Sequence, residues 1–397
     1  MRVIVITQPS DIEGEGELIS AILTTGVNRI HIRKPNWSSE KTAQLINQIP
    51  HNLRYQLTLH DHFELCKELG VGGIQLNGRN PIAPQGFKGL VSRSCHTISE
   101  LEQECDYATL SPIYDSISKC GYKSSFAAEE LQAIKPNTIA LGGVTPQNIP
   151  TLHALGFEGV AILGYMWQEP TIEGVTLRAK RAVKVAKMCK NFSLQFITHR
   201  NDTKNDTQGA AAAIEGGCRW VQLRMKGFED EQFIESAATL REMCNSAGAT
   251  FLLNDRVDLV KECRADGVHI GKGDMPPSEA RAILGEGAII GGTANTCDDI
   301  DCLISQGIDY IGLGPFRFTT TKEKLSPTLG LDGYKQAIEH CRTKGYTTPI
   351  VAIGGITVGD IPSIMECGVS GIALSGTILN AEDSVAVTSD IVKILRR

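Results

Sequence analysis

Short apolar runs alternate along the whole chain with longer segments in which apolar residues recur every three or four positions. In the second half these runs predict eight strands, at 194–197, 220–223, 250–253, 267–270, 289–292, 310–313, 350–353 and 371–374. The longer segments, among them 232–247, 297–306 and 333–344, have the spacing of amphipathic helices. Eight short strands with helices between them predict a parallel sheet that closes into a (β/α)8 barrel.

The first half repeats the pattern of the second. His31-Ile-Arg33 corresponds to Gln222-Leu-Arg224, and a Gly-Gly pair follows the seventh strand in both halves. Repetition over roughly 190 to 200 residues indicates duplication of a whole domain, because solenoid repeats have much shorter periods. We therefore predict an α/β protein of two tandem (β/α)8 TIM barrels, with domains at 1–190 and 191–397.

Composition narrows the classes of partner. With 39 Lys+Arg against 45 Asp+Glu the net charge is −6, which argues against general nucleic-acid binding but leaves a small anionic substrate possible. The 12 cysteines include no Cys-x-x-Cys pair and are expected to be buried thiols of a reducing compartment. The longest uncharged stretch, 136–157, contains proline and glycine and predicts no membrane span. We expect a cytoplasmic protein with small-molecule substrates and neither nucleic-acid nor membrane partners.

Polar residues directly follow several predicted strands, at the end where barrels of this type place their sites. Gln222, Arg224 and Lys226 share one face of their strand because side chains alternate. If that face is the barrel interior, two cations and an amide donor face the mouth and suit a diphosphate. The alternative is an outer face with solvated charge.

Two carboxylates, Asp255 and Asp274, follow neighbouring predicted strands. Paired carboxylates suit Mg²⁺, which usually takes one or two of them together with substrate phosphate oxygens. A general acid–base pair and simple loop capping are the alternatives. His269, within the strand between them, is expected to line or pack inside the barrel.

A second anion site is predicted after the last three strands. Hydroxyl groups, a lysine and glycines suit a phosphate there, because glycine lets the backbone approach a ligand closely. The residues are Thr319, Thr320, Thr321 and Lys322 in one loop and Gly354, Gly355, Ser375 and Gly376 in the next two. The residues thus predict a Mg²⁺-assisted diphosphate site beside a second phosphate site.

Together these motifs resemble thiamine-phosphate synthase over about residues 191–397. The resemblance implies condensation of 4-amino-5-hydroxymethyl-2-methylpyrimidine diphosphate with a thiazole phosphate, giving thiamine phosphate and diphosphate. It assigns the pyrimidine diphosphate to Gln222, Leu223, Arg224, Met225, Lys226, Asn254, Thr293 and Lys322, with Arg224, Lys226 and Lys322 catalytic. It assigns Mg²⁺ to Asp255 and Asp274, and the thiazole phosphate to Thr319, Thr320, Thr321, Gly355, Ser375 and Gly376.

In the mechanism of that family, diphosphate departs first and the thiazole nitrogen attacks the resulting pyrimidine-methyl cation. Such a reaction needs neutralised leaving-group charge and aligned reactants more than a nucleophilic side chain. Two positions differ from the family pattern: Thr293 stands where Ser is usual, and Asn295 stands where His is common.

The first half resembles the same superfamily with fewer of its motifs. His31 replaces the Gln, no Asp matches Asp274, and no Thr-x-Thr-Lys follows Pro112. It is closer to thiazole tautomerase-like relatives, although their catalytic His falls at Pro112. The alternatives are therefore a tautomerase-like enzyme or a non-catalytic module for thiazole phosphate binding or homo-oligomer formation. We expect phosphate monoester binding without thiamine phosphate synthesis.

One alternative concerns the whole chain: another phosphate-handling barrel, such as an isomerase from tryptophan biosynthesis. It predicts an acid–base pair and no cluster of cations for a diphosphate.

Overall fold

In the computed structural model, residues 1–115, 126–127, 130–318 and 327–396 are described. The chain divides into two compact units, Met1–Lys190 and Asn191–Arg397. Within each unit eight strands pair in parallel and close into a barrel. Two tandem (β/α)8 barrels are therefore confirmed as the fold.

In the first barrel the strands pair in chain order, and the eighth closes on the first. They are β1 Arg2–Ile6, β2 Arg29–Ile32, β3 Leu57–Leu59, β4 Gly73–Leu76, β5 Leu90–Cys95, β6 Tyr107–Leu110, β7 Thr138–Leu141 and β8 Gly159–Ile162. The helices between and after them are α1 Glu15–Leu23, α2 Ser39–Asn47, α3 Leu65–Leu69, α4 Ile149–Ala154 and α5 Ile172–Asn191.

The second barrel has the same strand order. Its strands are β9 Leu194–Ile197, β10 Trp220–Leu223, β11 Thr250–Asn254, β12 Gly267–Ile270, β13 Ile289–Ala294, β14 Tyr310–Leu313, β15 Ile350–Ile353 and β16 Gly371–Leu374. Its helices are α6 Asp206–Glu215, α7 Asp230–Ala247, α8 Pro277–Leu284, α9 Cys297–Ser305, α10 Gly330–Lys344, α11 Ile361–Glu366, α12 Gly376–Leu379 and α13 Ser384–Leu395.

Two strands run longer than predicted, β11 by one residue and β13 by two. Thr293 lies on β13, where its backbone pairs with Gly312 of β14, and so belongs to the rigid barrel wall. The apolar pattern did not predict α6, because its buried face is formed by Gly209, Ala210 and Ala213, which contrast little with their neighbours.

The alternation along β10 separates the core from the site. Val221 and Leu223 pack in the hydrophobic layer between strands and helices. Trp220 stacks on Phe192 with ring centroids 3.7 Å apart, and Tyr310 meets both rings edge-on. These aromatic rings stand where the strands begin and fill that end of the barrel, which leaves the opposite, carboxyl end for polar groups. No helix among the described residues is both long and apolar enough to cross a membrane.

Candidate active site

A cavity of about 530 Å³ opens at the carboxyl ends of the strands in the second barrel. Ten of the residues assigned by the resemblance line it. They are Gln222, Arg224, Lys226, Asn254, Asp255, Asp274, Thr293, Gly355, Ser375 and Gly376. Strand alternation thus places Gln222, Arg224 and Lys226 toward the cavity and not on a solvated outer face.

Six of the residues assigned by resemblance are not placed at this cavity. Leu223 and Met225 lie in the hydrophobic core with 0% and 8% exposure, so only their backbone could reach a ligand. This corrects any expectation of side-chain contact, and it follows from the period of two along a strand. Thr319, Thr320, Thr321 and Lys322 lie outside the described residues.

Asp255 and Asp274 meet beside the end of β12. Asp255 has φ 65, a left-handed conformation that is uncommon for a residue other than glycine. The Gly271 backbone N–H donates to Asp274 Oδ2 at 2.8 Å, and Asn254 Nδ2 donates to Asp255 Oδ1 at 2.7 Å. Burial and the adjacent Asp255 carboxylate raise the pKa of Asp274. The two acids are therefore held in place although their charges repel.

This donor set fits Mg²⁺. Among the described residues there is no group of three or more His, Cys, Asp or Glu side chains that could hold a metal ion. Two carboxylates are nevertheless what a protein commonly supplies to Mg²⁺ when phosphate oxygens and water complete its shell. The raised pKa of Asp274 marks a carboxylate pair that a cation would stabilise.

Among the described residues, three cationic side chains line the same cavity. Lys226 Nζ lies 2.9 Å from Asp255 Oδ2, so this ammonium group sits beside the carboxylate pair. Arg224 has no ion-pair partner within the described ranges. The third is Lys272, which pairs with Asp299. It was not predicted from the sequence, although it lies two residues before Asp274.

A chain of polar groups crosses the barrel beneath the cavity. Gln222 Nε2 donates to Gln195 Oε1 at 3.3 Å, and Gln195 Nε2 donates to the Tyr310 hydroxyl at 3.3 Å. His269 lies 3.0 Å from that hydroxyl through Nδ1 and 3.0 Å from Thr293 Oγ1 through Nε2. His269 therefore lines the barrel and links the side chains that position Gln222 and Thr293.

Sequence reasoning missed Gln195 and Tyr310 in this chain, since each lies inside an apolar strand and looked like core. The signal for Gln195 was alternation, which puts it between the outward Leu194 and Phe196 on β9. Burial raises the pKa of the Tyr310 hydroxyl, which therefore stays protonated.

Asn295, at a position where the resembled family often has His, makes a backbone contact. Its side-chain amide donates to the carbonyl oxygen of Gly314. In the first barrel His96 lies at the corresponding position, with Nδ1 3.0 Å from the carbonyl oxygen of Ser111. Both side chains can thus fasten the loop that follows the sixth strand of their barrel.

The part of the second cavity that follows the last two strands is lined by glycines, apolar residues and two hydroxyl residues, Ser375 and Thr377. Ser375 Oγ is buried without a hydrogen-bond partner within the described part of the chain. Gly355 has φ 68, and a Cβ there would lie 2.5 Å from Arg317 Cγ. The close approach that this glycine allows is therefore to the loop after β14, and its approach to a ligand remains a prediction.

The first barrel has its own cavity of about 470 Å³ at the equivalent end. Arg33, His60, Arg79 and His96 line it together with Gly142, Gly143 and Gly164. Lys34, by contrast, is 2% exposed and pairs with Glu15 at 2.6 Å. Of the two adjacent basic residues Arg33 and Lys34, only Arg33 reaches the cavity.

A buried histidine pair forms the floor of this first cavity. His31 Nδ1 lies 3.0 Å from His60 Nε2, and His31 Nε2 lies 2.7 Å from the Tyr107 hydroxyl. Burial lowers the pKa of His31 well below its ordinary value and that of His60 to about 3. Both rings are therefore neutral at physiological pH, where the second barrel has Gln222 and Asn254.

A family model described as thiamine monophosphate synthase matches residues 3–165 and 194–378. The thiamine-phosphate synthase of Phocaeicola vulgatus is 56% identical over 205 residues, which are 52% of this chain and 99% of the relative. That of Bacteroides fragilis is 52% identical over 203 residues, 51% of this chain and all of the relative. A solved thiamine phosphate pyrophosphorylase from Pyrococcus furiosus is 30% identical, covering 52% of this chain and 96% of its own, with TM-score 0.47.

The family model matches both barrels and together covers more than half of the chain. The eroded motifs of the first barrel therefore lie on a scaffold of the same family as the complete motifs of the second. The chain belongs to the thiamine monophosphate synthase family.

Proposed function

We propose that the second barrel is a Mg²⁺-dependent thiamine-phosphate synthase. It joins 4-amino-5-hydroxymethyl-2-methylpyrimidine diphosphate to a thiazole phosphate and releases diphosphate. The observation that carries this proposal is the Asp255–Asp274 pair, which lines one cavity with Arg224 and Lys226 while Ser375 lines its other end. Family membership and relatives that match about one barrel length support thiamine-phosphate synthesis in the matching region.

The proposed chemistry suits the residues present. A departing diphosphate develops negative charge, and fixed cations in a cavity stabilise that charge more effectively than water does. Arg224 and Lys226 would supply the charge, with Lys322 as a further cation from the loop after β14. A positively charged pyrimidine-methyl group then needs only a correctly placed thiazole nitrogen, so no nucleophilic side chain is required.

Asp255 and Asp274 would hold Mg²⁺, which when bound would neutralise charge on the diphosphate oxygens. The left-handed backbone at Asp255 and the Gly271 N–H that binds Asp274 fix these two ligands before any substrate arrives. Two ligands leave most of the coordination shell to substrate and water. We therefore expect Mg²⁺ and the diphosphate substrate to bind cooperatively.

The two substrates would lie at opposite ends of the cavity. Gln222, Asn254 and Thr293 would hold the pyrimidine, since the polar chain through Gln195 and His269 fixes two of these side chains. Ser375 Oγ, Gly355 and Gly376 would bind the thiazole phosphate, with Thr319, Thr320 and Thr321 completing that end. The unpartnered Ser375 hydroxyl supports this assignment.

The first barrel is proposed to make no thiamine phosphate. Asp61, the counterpart of Asp255, accepts two hydrogen bonds from the Arg79 guanidinium at 3.0 and 2.9 Å and faces no second carboxylate at the position of Asp274. A neutral His31 also replaces the amide of Gln222. Diphosphate departure would thus lack the arrangement found in the second barrel.

The test is a synthase assay on the full chain with both substrates. We expect thiamine phosphate and diphosphate in equal amounts with Mg²⁺, and none after chelation. Arg224→Ala should lower kcat/KM about a hundredfold, or roughly 2.7 kcal/mol, while its counterpart Arg33→Ala should stay within twofold.

Three outcomes would contradict the proposal. They are absence of product, turnover that resists thorough chelation, and equal losses in the two arginine variants.

A further inference from the structure

In the first barrel a guanidinium lies beside Asp61, the counterpart of Asp255 in the carboxylate pair of the second. Arg79 donates through Nε to Asp61 Oδ1 at 3.0 Å and through Nη2 to Asp61 Oδ2 at 2.9 Å. Asn80, which stands where the second barrel has Asp274, donates through Nδ2 to Asp61 Oδ1 at 2.9 Å. The Asp61 carboxylate is thus satisfied by protein donors, with no need of a metal ion.

The turn that carries Arg79 is held rigidly. Asn77 Oδ1 accepts from the Arg79 backbone N–H at 2.9 Å, while Asn77 Nδ2 donates to the carbonyl oxygen of His60 at 2.8 Å. Asn77 and Asn80 also exchange backbone hydrogen bonds at 3.0 and 3.1 Å. Arg79 lines the cavity and Asp61 does not, so this turn presents a fixed cation to the cavity.

Arg33 supplies a second cation at this cavity. It lines the same cavity, and its Nη1 is buried with no hydrogen-bond partner among the described residues. Burial lowers the pKa of Arg33, and so does the nearby positive charge of Arg79, while the Asp61 carboxylate acts in the opposite direction. Two guanidinium groups that repel each other, one with an unused buried donor, are a combination that a bound anion stabilises.

The remaining polar groups at this cavity leave room for an anion. Glu100, its one lining acid among the described residues, accepts hydrogen bonds from the backbone N–H groups of His96 and Thr97. His60 is neutral, and its Nδ1 has no hydrogen-bond partner within the described ranges. The cavity therefore presents the Arg33 and Arg79 guanidinium groups beside neutral polar groups, and its one lining carboxylate among the described residues is held by backbone N–H groups.

We propose that the first barrel binds the phosphoryl group of a small organic phosphate or diphosphate between Arg33 and Arg79, without a divalent cation. The Arg79 guanidinium, which is paired with Asp61, supplies the positive charge that a metal ion would otherwise supply there. Guanidinium groups match phosphate oxygens geometrically and hold them in pairs. The site goes beyond the synthase proposed for the second barrel, and neither depends on the other.

The test is calorimetric titration of the full chain with inorganic diphosphate in the presence of EDTA. We expect one binding site per chain. Arg33→Ala and Arg79→Ala should each weaken binding at least tenfold. Lys135→Ala, which removes an equal charge from the surface of the same barrel, should change binding less than twofold.

An exchange of residues between the barrels gives a second test. Arg79→Gly with Asn80→Asp copies Gly273 and Asp274 into the first barrel and places a second carboxylate beside Asp61. Binding to the first barrel should then fall at least tenfold in EDTA and recover with Mg²⁺. Circular dichroism checks that this variant is folded, and Arg33→Ala gives an independent result if it is not.

Each result of these titrations either supports or contradicts the proposed site. Inorganic phosphate that binds as tightly as diphosphate identifies a monophosphate site, and weaker phosphate binding identifies a diphosphate site; both support the proposal. Binding in EDTA that is lost in Arg224→Ala and kept in Arg33→Ala would place the anion in the second barrel and overturn it. So would undiminished binding in EDTA by the Arg79→Gly, Asn80→Asp variant. Synthase activity does not enter either result.

Discussion

The two barrels share a scaffold and differ in how each treats one carboxylate after the third strand. In the second, Asp255 faces Asp274 and Lys226, and burial together with Asp255 raises the pKa of Asp274. In the first, Asp61 is paired with Arg79 and accepts a hydrogen bond from Asn80. The second barrel thus has two carboxylates that a cation would stabilise, whereas the first has one carboxylate that is already paired with an arginine. The two arrangements differ at two neighbouring positions, Arg79 and Asn80 in the first barrel and Gly273 and Asp274 in the second.

The polar residues beneath the two cavities also differ. The second barrel uses amides, Gln222 and Gln195, joined through Tyr310 to His269. The first uses a pair of neutral histidines under the same tyrosine position. Both floors are buried, but they present different polar groups to a ligand. A duplicated barrel can therefore keep its packing while its ligand changes.

The largest effect should come from the carboxylate pair. Asp255→Ala and Asp274→Ala should each lower turnover a hundredfold or more, at least about 2.7 kcal/mol in barrier, because each removes a proposed Mg²⁺ ligand. Steady-state assays at several Mg²⁺ concentrations measure this. Both variants should remain folded, since these acids lie at the mouth and not in the core.

Asp61→Ala is the matched variant of the first barrel and should leave turnover within threefold. Near-normal rates at saturating Mg²⁺ in both second-barrel variants would sink the metal assignment. A loss of turnover in Asp61→Ala as large as that in Asp255→Ala would contradict the proposal that only the second barrel makes thiamine phosphate.

A smaller effect is expected at the phosphate end. Ser375→Ala should raise KM for the thiazole phosphate about tenfold with kcat little changed, since a hydrogen bond to a charged group contributes roughly 1.5 to 3 kcal/mol. The first barrel has Leu163 at this position, so the hydroxyl is particular to the second. Ser370→Ala, an exposed serine of the same barrel, serves as the control and should change neither constant. An unaltered KM in Ser375→Ala would remove this hydroxyl from the site.

The smallest effect concerns stability and pH in the first barrel. His31 and His60 have lowered pKa values in the folded state, about 3 for His60, whereas the unfolded chain titrates near 6.5. The unfolded state thus binds more protons as pH falls below 6.5, and stability of this barrel declines until the folded pKa is reached. Between pH 7 and 6 the loss should be roughly 0.7 kcal/mol for each histidine.

His31→Gln with His60→Asn copies the second barrel and should remove this acid-induced loss. Hydrogen exchange measures it through protection factors for β2 and β3 at both pH values, with β10 and β11 as internal reference. An equal decline in the variant and the unaltered protein would show that these histidines do not set the acid stability.

Much of the fold was predictable from local pattern, and the reason is visible in β10. Apolar runs bounded by polar residues located this strand, and alternation along it correctly put Val221 and Leu223 in the core and Gln222 toward the cavity. Such predictions need only the geometry of one strand, which neighbouring residues determine. The polar residues at strand ends could be assigned to one mouth for the same reason.

The sequence by itself thus predicted two barrels, the eight strands of the second and many of the polar residues at its mouth. Only the tertiary structure decided which of those residues meet. In the structure Lys34 pairs with Glu15, Gln195 donates a hydrogen bond to Tyr310 across the barrel, and Arg79 pairs with Asp61. The physical reason is that these contacts join segments far apart in the chain. Their distances depend on how eight strands close and stagger around the barrel, which no local pattern specifies.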